Sequence, residues 1–338
     1  MTSPKYAVGD DTARGRHYIH PSRPGVELIS VTNVLGQAMS KTGLIPWAAK
    51  CAVEEAWRVL PQMVAASRTR SDCAQPGLAL YKQDLCGSCY GCLTRWLKSA
   101  HDRARDSASD LGVRVHRRAE AHLLGITLPR EDIDDVADSF LTQYLRFLAD
   151  FDVDITRDVE ATELTVAHPY RGYAGTLDIL LRLRVAFLDG KACLVPDGER
   201  TTALIDIKTS LTRPVTQTFP ENRLQLAGLH LANEVWLPDG TIEKFSPKPT
   251  WCAVLNLRAD KYELIPMPVG APEHAAFLGA LESATWQRDR WVTDRTHRPV
   301  TPKGRFKAKR GFDEDGNPKP GTKAHAAAQA AAEQKRSA

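Results

Sequence analysis

Two aspartates and a lysine lie in apolar runs of the sequence, where charged side chains are unusual. Asp206 and Lys208 lie in the run ALIDIKTS, and Asp178 follows Gly175 in the upstream run YAGTLDILLRL. Side chains two positions apart in a strand point to the same face, so Asp206 and Lys208 are predicted to share one face. Two carboxylates beside a lysine suit a hard cation such as Mg²⁺. The chemistry that this combination serves is hydrolysis at a phosphate group.

The same three residues also have an ordinary structural interpretation. An acid and a lysine on a half-exposed strand often form an ion pair that contributes little to stability. An aspartate after a small-residue turn often caps that turn. The choice between the two interpretations therefore depends on the elements that would bring these side chains together.

The chain changes character near Asp152, and this change predicts those elements. Upstream, apolar residues recur with helical spacing, and the long segment around LGVRVHRRAE is expected to break near Gly112. Downstream, residues 152–210 alternate between polar and apolar positions and contain two Asp-Gly turn signals, which predicts a three-stranded meander. A helix, a strand pair and a last helix at 271–292 follow. This order predicts an α+β fold, with a central mixed sheet flanked by helices.

Three regions are expected along the chain: a loose N-terminus at 1–25, one domain at 26–296 with a cysteine-rich insertion at 68–95, and a basic, disordered tail at 297–338. From Arg298 onward there are ten lysines and arginines against four acidic residues, whereas the formal charge of the whole chain is only +4. The tail interleaves cations with two phenylalanines, which suits a nucleic-acid backbone and its bases. A solubilising tail is the alternative.

Taken in order, these segments resemble the PD-(D/E)XK nuclease superfamily, and specifically its RecB-like branch of CRISPR-associated and phage exonucleases. GTLD and LIDIKTS are similar to the acidic motifs of that branch, so that Asp178 matches the first acid, Asp206 the second and Lys208 the motif lysine. The resemblance covers roughly residues 28–290, and the order of the motifs makes it specific. It implies a restriction-endonuclease-like core preceded by a helical region that carries the cysteine-rich insertion.

Two helical motifs extend the resemblance. LGVRVHRRAE is similar to the Gly-x-x-x-His helix of the branch, with Gly112 and His116. LQLAGLHLA is similar to its Gln-x-x-x-Tyr helix, in which Gln225 matches but Leu229 stands in place of the tyrosine. Glu163 falls where the branch often has a strand glutamate. The departure at Leu229 puts the role of that position in doubt.

The resemblance implies metal-dependent hydrolysis of phosphodiester bonds. The implied ligands of one or two Mg²⁺ or Mn²⁺ ions are His116, Asp178, Asp206 and the backbone carbonyl of Ile207. Lys208 is implied to position the attacking water, and Gln225 is implied as a further catalytic residue. The metal would stabilise the charge that builds on the phosphate and on the leaving oxygen.

Four cysteines form a second group of possible ligands. Cys73, Cys86, Cys89 and Cys92 have the spacing C-x12-C-x2-C-x2-C, with small residues between them. Four thiolates satisfy a closed tetrahedral zinc site, so we expect a structural Zn²⁺. A [4Fe–4S] cluster is the alternative metal centre, because such clusters also bind to tight C-x2-C-x2-C runs. Four buried, metal-free cysteines are the structural alternative.

Composition and the N-terminal sequence limit the class of protein. The chain is 43% hydrophobic and 25% charged, which is typical of a globular protein. The first residues contain no apolar run, so no signal peptide is expected. No stretch approaches the roughly 20 apolar residues of a membrane span. We therefore expect a soluble, cytoplasmic protein of a bacterium or a phage-infected cell. Its expected partner is DNA rather than a membrane, and a recombination or replication protein is a further candidate.

The function predicted from the sequence is that of a metal-dependent DNA exonuclease. A DNA-binding module with the same ancestry and a silent site is one alternative, and a site-specific endonuclease is another. The presence of Asp178, Asp206 and Lys208 together favours the enzyme over the silent module.

Overall fold

Ten strands form one mixed sheet at the centre of the computed structural model, which describes residues 6–8, 15–69, 89–129, 134–188, 191–288, 312, 317–322 and 325. The strands of this sheet are β1 (Ala7–Val8), β2 (His17–His20), β3 (Arg23–Ser30), β4 (Val159–His168), β5 (Tyr173–Leu183), β8 (Thr201–Thr209), β9 (Glu234–Trp236), β10 (Ile242–Lys244), β11 (Trp251–Leu257) and β12 (Tyr262–Met267). Two further strands, β6 (Val185–Leu188) and β7 (Lys191–Leu194), form a separate hairpin.

Helices pack on both faces of this sheet. The helices of the described residues are, in chain order, α1 (Val31–Ala38), α2 (Leu44–Arg58), α3 (Leu60–Thr69), α4 (Tyr90–Lys98), α5 (Ala100–Leu123), α6 (Asp135–Asp150), α7 (Ile155–Asp158), α8 (Pro220–Leu231) and α9 (Ala271–Trp286). One hydrophobic core lies between the sheet and helices α1, α8 and α9, and a second lies between the sheet and helices α5 and α6. The prediction of a mixed sheet flanked by helices is confirmed.

The strand that organises the sheet is β5, which has three partners. It pairs antiparallel with β4 along one edge. On its other edge its first residues pair parallel with β3, and its last residues pair antiparallel with β8. Strand β8 then pairs parallel with β11. The chain between residues 159 and 209 is therefore a meander of β4, β5 and β8, into which the β6–β7 hairpin is inserted.

Local signals explain where several helices begin. The Ser30 side chain accepts a hydrogen bond from the Asn33 backbone N–H at 3.0 Å, which caps α1. The Asp134 side chain caps α6 in the same way. Helix α8 starts with a proline at its first position, where the missing N–H has no intrahelical partner to lose.

Two regions differ from the predictions. Residues 17–20 and 23–30 are strands, and the Tyr18 side chain is buried against Leu28 and Trp236, so this part of the N-terminus is not loose. Helix α5 runs through Gly112 without the expected break. Its glycine lies in a long helix that packs against the sheet, and this packing outweighs the low helix propensity of one residue.

The chain divides into two units, Met1–Ala284 and Thr285–Ala338. The first contains the whole sheet and both cores. In the second, the described residues include an isolated β-bridge between Phe312 and Pro318. Most of the predicted basic tail at 297–338 lies outside the described residues. Within the described part of the chain, no helix has the length and apolar character needed to cross a membrane.

Candidate metal centre

An interruption in strand pairing positions the candidate site. The β3–β5 ladder ends at Ala174, and the β5–β8 ladder begins at Ile179. Residues 175–178 of β5 lie between these two ladders, and Asp178 is the last of them. The Asp178 carboxylate accepts a hydrogen bond from the Ile207 backbone N–H at 2.6 Å through Oδ2. Asp178 thus bonds to the backbone of β8 two residues beyond Ile205, where the β5–β8 ladder ends.

Helix α5 brings His116 to the same backbone segment. Its Gly112 faces Thr209, and a Cβ atom at Gly112 would lie 3.4 Å from the Thr209 hydroxyl. One turn further along, the Nε2 atom of His116 lies 3.0 Å from the Ile207 carbonyl oxygen. The Gly-x-x-x-His spacing therefore places the imidazole against the peptide group between Ile207 and Lys208.

This contact fixes the orientation of the imidazole ring. Nε2 can bond to the Ile207 carbonyl only as a donor, so it carries a proton. The opposite atom, Nδ1, lies 3.7 Å from Asp178 Oδ1 and 3.8 Å from Glu163 Oε1. A bare nitrogen lone pair facing two carboxylates is unfavourable. The space between these three atoms therefore calls for positive charge, either a proton on Nδ1 or a bound cation.

The pKa of His116 also indicates that this space needs positive charge. Burial lowers the pKa of His116, but the nearby carboxylates of Asp178 and Glu163 outweigh burial and raise this pKa to about 9. In the absence of a metal, a proton supplies the positive charge. Burial is the main cause that raises the pKa values of Asp178 and Asp206, with smaller contributions from neighbouring carboxylates.

Glu163 reaches this cluster from β4 through an unusual backbone conformation. Its φ is +48°, in the left-handed region that non-glycine residues rarely adopt. The ladder pairs Thr162 with Ile179 and Leu164 with Leu177, so Glu163 lies across from Asp178. A conformation of this kind costs roughly 1–3 kcal/mol and persists where the surrounding structure enforces it. Glu163 was not among the predicted site residues, and its only signal in the sequence was the match to the strand glutamate of the resemblance.

A second hydrogen-bonded network lies on the face of β8 opposite the side chains of Ile205 and Ile207. It joins Lys208, Asp206 and Gln225. Lys208 Nζ donates to Asp206 Oδ1 at 2.9 Å and to Gln225 Oε1 at 3.2 Å. Gln225 Nε2 donates to the same Asp206 oxygen at 2.9 Å. The expected shared face of Asp206 and Lys208 is therefore present, and α8 supplies the amide that holds both.

Asp206 and Lys208 differ in their access to solvent. The Asp206 side chain is only 3% exposed, whereas Lys208 is 34% exposed. Asp206 Oδ2 lies 2.7 Å from Lys208 Nζ but accepts no well-aligned hydrogen bond within the described structure. Burial lowers the pKa of Lys208, but Asp206 and Asp178 outweigh it and raise this pKa, so the side chain is an ammonium.

The donor set fits a hard divalent cation. One ligand atom from each of His116, Glu163 and Asp178 lies within 4.8 Å of the others. Carboxylate oxygens with one imidazole suit Mg²⁺ or Mn²⁺. Asp206, a further predicted ligand, is not in this group, and its Oδ2 atom lies 2.7 Å from the Lys208 ammonium nitrogen. The carboxylates of Glu163 and Asp178 are costly to bury together without a proton or a cation between them.

The Ile207 carbonyl, another predicted ligand, accepts a hydrogen bond from His116 Nε2. A backbone acceptor of this kind fixes the tautomer and orientation of a metal-binding imidazole. Direct binding of a metal by this carbonyl stays a prediction.

Leu229, which stands in place of the tyrosine, contributes to the core. It is buried in the first hydrophobic core, and its Cδ2 atom would lie 2.6 Å from a Cβ added at Gly175. The next residue, His230, contacts His274 and the Pro249 carbonyl. Neither side chain has a contact with the carboxylates of the candidate site in the described structure, so α8 contributes Gln225 from this motif.

The cysteine group is only partly within the described residues. Cys89 and Cys92 are both buried at the start of α4, where Cys89 Sγ accepts a hydrogen bond from the Cys92 backbone N–H at 3.3 Å. Cys73 and Cys86 lie outside the described residues. A zinc site or a [4Fe–4S] cluster at these cysteines therefore remains a prediction.

Comparison with known proteins gives little guidance. No protein-family model matches the chain, and no curated protein is similar to it. Similarities to solved structures exist, one of them to the crystal structure of SSO0001. That protein has 15% sequence identity and a TM-score of 0.24, over 54% of this chain and 76% of its own. An overlap this weak carries no argument, so a functional conclusion depends on the site itself.

Proposed function

We propose that this protein is a Mg²⁺- or Mn²⁺-dependent deoxyribonuclease that hydrolyses phosphodiester bonds from a DNA end. The observation that carries the proposal is the His116 ring, held by the Ile207 carbonyl so that Nδ1 faces two carboxylates across a space that needs positive charge. The next residue of β8, Lys208, belongs to a hydrogen-bonded network with Asp206 and Gln225. Exonuclease action in recombination, replication or repair follows from the motif resemblance.

The order of the elements supports the PD-(D/E)XK core that this proposal includes. Helix α5 precedes the meander of β4, β5 and β8, and helix α8 and strand β11 follow it. Strand β8 is antiparallel to β5 and parallel to β11, which makes the sheet mixed at the site. The resemblance implies a central mixed sheet of this kind, with motif helices before and after the meander.

The residues of the chain have separable tasks in this reaction. Asp178, Glu163 and His116 would hold the cation, with Asp206 Oδ2 as a further ligand. A cation bound there would supply Lewis-acid stabilisation of the negative charge that builds on the phosphate. Lys208 carries its positive charge at the most exposed position of the network, where it can bind a phosphate oxygen and orient a water molecule. Gln225 and Asp206 fix the ammonium so that little reorganisation is needed.

The test is digestion of an end-labelled linear duplex and its single strand with Mg²⁺, with Mn²⁺ and with EDTA. Wild type is expected to release label only with metal. Lys208→Ala is expected to lower the rate by about 100-fold or more, because a preorganised charge at the reacting phosphate is lost. Lys244→Ala is the matched control, since Lys244 is an exposed lysine on β10, across β4 and β9 from the site.

Three outcomes would contradict the proposal in whole or in part. Digestion that persists in EDTA would remove the role of the metal. Absence of digestion on every substrate, with DNA still retained in a gel shift, would favour a silent DNA-binding module. Internal cleavage of a circular substrate at the same rate would favour an endonuclease over an exonuclease.

A further inference from the structure

A loop at the edge of the candidate site is held unusually firmly. This rim loop, residues 210–219, connects β8 to α8 and begins two residues after Lys208. It therefore lies between the lysine of the site and the helix that supplies Gln225. Loops of this kind often carry the residues that contact a substrate.

Asn256 of β11 anchors the far half of the rim loop. It is buried and lies beside Lys208 in the parallel β8–β11 register. Its Nδ2 atom donates to the Val215 carbonyl at 2.6 Å and to the Gln217 carbonyl at 3.0 Å. Neighbouring strands are about 4.8 Å apart. The Asn256 side chain therefore ties this half of the loop to the strand position next to Lys208.

Arg258 anchors the near half in the same manner. Its residue is 6% exposed, and its guanidinium donates to the Arg213 carbonyl at 2.6 Å and to the Pro214 carbonyl at 2.8 Å. A third bond, of 2.6 Å, goes to its neighbour Leu257. The buried side chains of Asn256 and Arg258 thus donate hydrogen bonds to four loop carbonyls, those of residues 213, 214, 215 and 217. Such a clamp fixes the loop backbone before any ligand arrives.

The clamp leaves the side chains at the start of the loop pointing outward. Leu211 is 63% exposed, although it is a large apolar residue. Arg213 is exposed, and its guanidinium carbon lies 4.6 Å from the centre of the Phe219 ring. The Ser210 hydroxyl accepts hydrogen bonds from the Thr212 and Arg213 backbone N–H groups, which forms a tight turn at the tip.

The charges of this region are not neutralised locally. Within the described part of the chain, neither Arg213 nor Arg258 has a carboxylate within ion-pairing distance. Burial and the neighbouring Arg213 both lower the pKa of Arg258, which indicates that the two guanidiniums lie close enough to repel. A rigid loop that presents the exposed guanidinium of Arg213 beside the candidate metal centre suits an anionic chain as ligand.

We propose that the rim loop binds the backbone of the DNA strand that enters the metal centre, with Arg213 on a phosphate and Leu211 against a base. This inference rests on the proposed function and adds a contact residue for its substrate. A nucleic-acid strand fits both exposed groups, because it repeats a phosphate and an apolar ring at each nucleotide. Arginine suits the phosphate contact because its planar guanidinium matches phosphate oxygens in two places.

The test is fluorescence-anisotropy titration of a labelled single strand and a labelled duplex in EDTA, over a range of salt concentrations. Arg213→Ala is expected to weaken binding by roughly 3- to 10-fold and to reduce the salt slope by about 1, because one phosphate contact is lost. Arg213→Lys is expected to restore most of the slope. Leu211→Ala is expected to weaken binding with no change in slope, since its contact is uncharged.

Controls separate this contact from general effects. Arg146→Ala removes an exposed arginine of α6, where Arg146 pairs with Asp150, and is expected to bind as wild type does. The clamp holds the backbone carbonyl of Arg213, so truncation of its side chain leaves the loop anchored. Equal melting temperatures for wild type and Arg213→Ala verify this.

The outcomes distinguish the two proposals. If wild type cleaves DNA but Arg213→Ala binds with the same affinity and the same salt slope, the rim-loop inference is wrong and the nuclease proposal stands. If wild type neither binds nor cleaves DNA, the nuclease proposal fails and the rim-loop inference fails with it. If Arg146→Ala weakens DNA binding as much as Arg213→Ala does, the inference is also wrong, because the loss of affinity would then reflect total charge.

Discussion

At the scale of single residues, the site is organised around one imidazole ring with two different faces. One nitrogen of His116 is committed to a backbone carbonyl, and the other faces the carboxylates of Asp178 and Glu163. The geometry creates a space that a proton or a metal ion must occupy. Glu163 adopts a costly backbone conformation to take part in this arrangement, which suggests that the carboxylate is worth more to function than to stability.

The variant Glu163→Gly tests this trade of stability for function. Glycine adopts positive φ without steric cost, so in EDTA this variant is expected to be about 1 kcal/mol more stable than Glu163→Ala, in which the strain remains. Both variants are expected to lose most of the stabilisation that Mn²⁺ gives to wild type, because a ligand is missing. Urea unfolding with and without Mn²⁺ measures both effects. Equal stability of the two variants in EDTA would show that the backbone is not strained.

Cys89 offers a second test at the residue scale. Its sulfur occupies the cap position of α4, where a serine oxygen would accept the same hydrogen bond. Cys89→Ser is therefore expected to keep the helix but to lose the predicted metal of the cysteine group. Elemental analysis for zinc and iron, with absorbance near 400 nm for a [4Fe–4S] cluster, measures the loss. Purified wild type without zinc or iron would contradict the prediction of a metal at these cysteines.

At the scale of elements, the approach of α5 to β8 positions His116 over Ile207. The two elements meet where Gly112 faces Thr209, and the available space is only as large as a methyl group. The rim loop is a second example, since Asn256 of β11 and Arg258, the residue that follows this strand, determine its path. In both cases the site depends on the distance between elements that are far apart in sequence.

Substitutions at Gly112 test the first of these distances. A Cβ there would lie 3.4 Å from Thr209 Oγ1, an ordinary contact, so Gly112→Ala is expected to gain roughly 0.5–1 kcal/mol from helix propensity and to keep activity. Gly112→Leu is expected to force α5 away from β8 and to lower nuclease activity well below that of Gly112→Ala. Thermal unfolding and the end-label assay measure these effects. Full activity of Gly112→Leu would show that the close approach is not needed.

At the scale of the whole molecule, the sheet is interrupted at the candidate metal centre. Strand β5 changes partner from β3 to β8, and the carboxylate of Asp178 bonds at the point where the second ladder ends. Hydrophobic cores on both faces hold this interruption in place. The fold can therefore keep polar groups buried at the site without losing the sheet.

Buried and partly buried histidines make the stability of the protein depend on pH. Burial is the main cause that lowers the pKa of each of five histidines, namely His20, His122, His168, His230 and His274. Below pH 6.5 the unfolded chain binds protons at these positions that the folded chain does not bind. Their contribution to the free energy of unfolding therefore decreases as pH falls. His116 acts in the opposite direction, because its pKa, raised to about 9, keeps it protonated in the folded chain while the unfolded chain is only partly protonated near pH 6.5.

The contact between His230 and His274 allows this pH dependence of stability to be tested. Their nitrogens lie 3.2 Å apart, so a second proton on the pair is unfavourable. Urea unfolding in EDTA at pH 6.5 and 5.5 is expected to show that His274→Gln loses less stability than wild type over this interval. Asp178 and Asp206, whose pKa values are raised, act in the opposite direction but equally in both proteins. An identical change in the two proteins would contradict the prediction.

The sequence by itself determined the features that depend on local periodicity. The shared face of Asp206 and Lys208 follows from the two-residue repeat of a strand, and Ser30 caps α1 because a cap needs only neighbouring backbone groups. The mixed sheet flanked by helices followed from the order of helical and alternating segments. These relations act over a few residues, so they can be inferred without knowing the fold.

Only the tertiary structure decided which groups meet across the sheet. The contact between His116 and Ile207 joins residues 91 positions apart, and the Asn256 bond to Val215 joins residues 41 positions apart. The role of Glu163 depends on a left-handed backbone inside a strand, which no local propensity predicts. Leu229 belongs to the core because Gly175 leaves room for it on a neighbouring element. Such contacts are set by the packing of whole elements, and sequence periodicity carries no information about that packing distance.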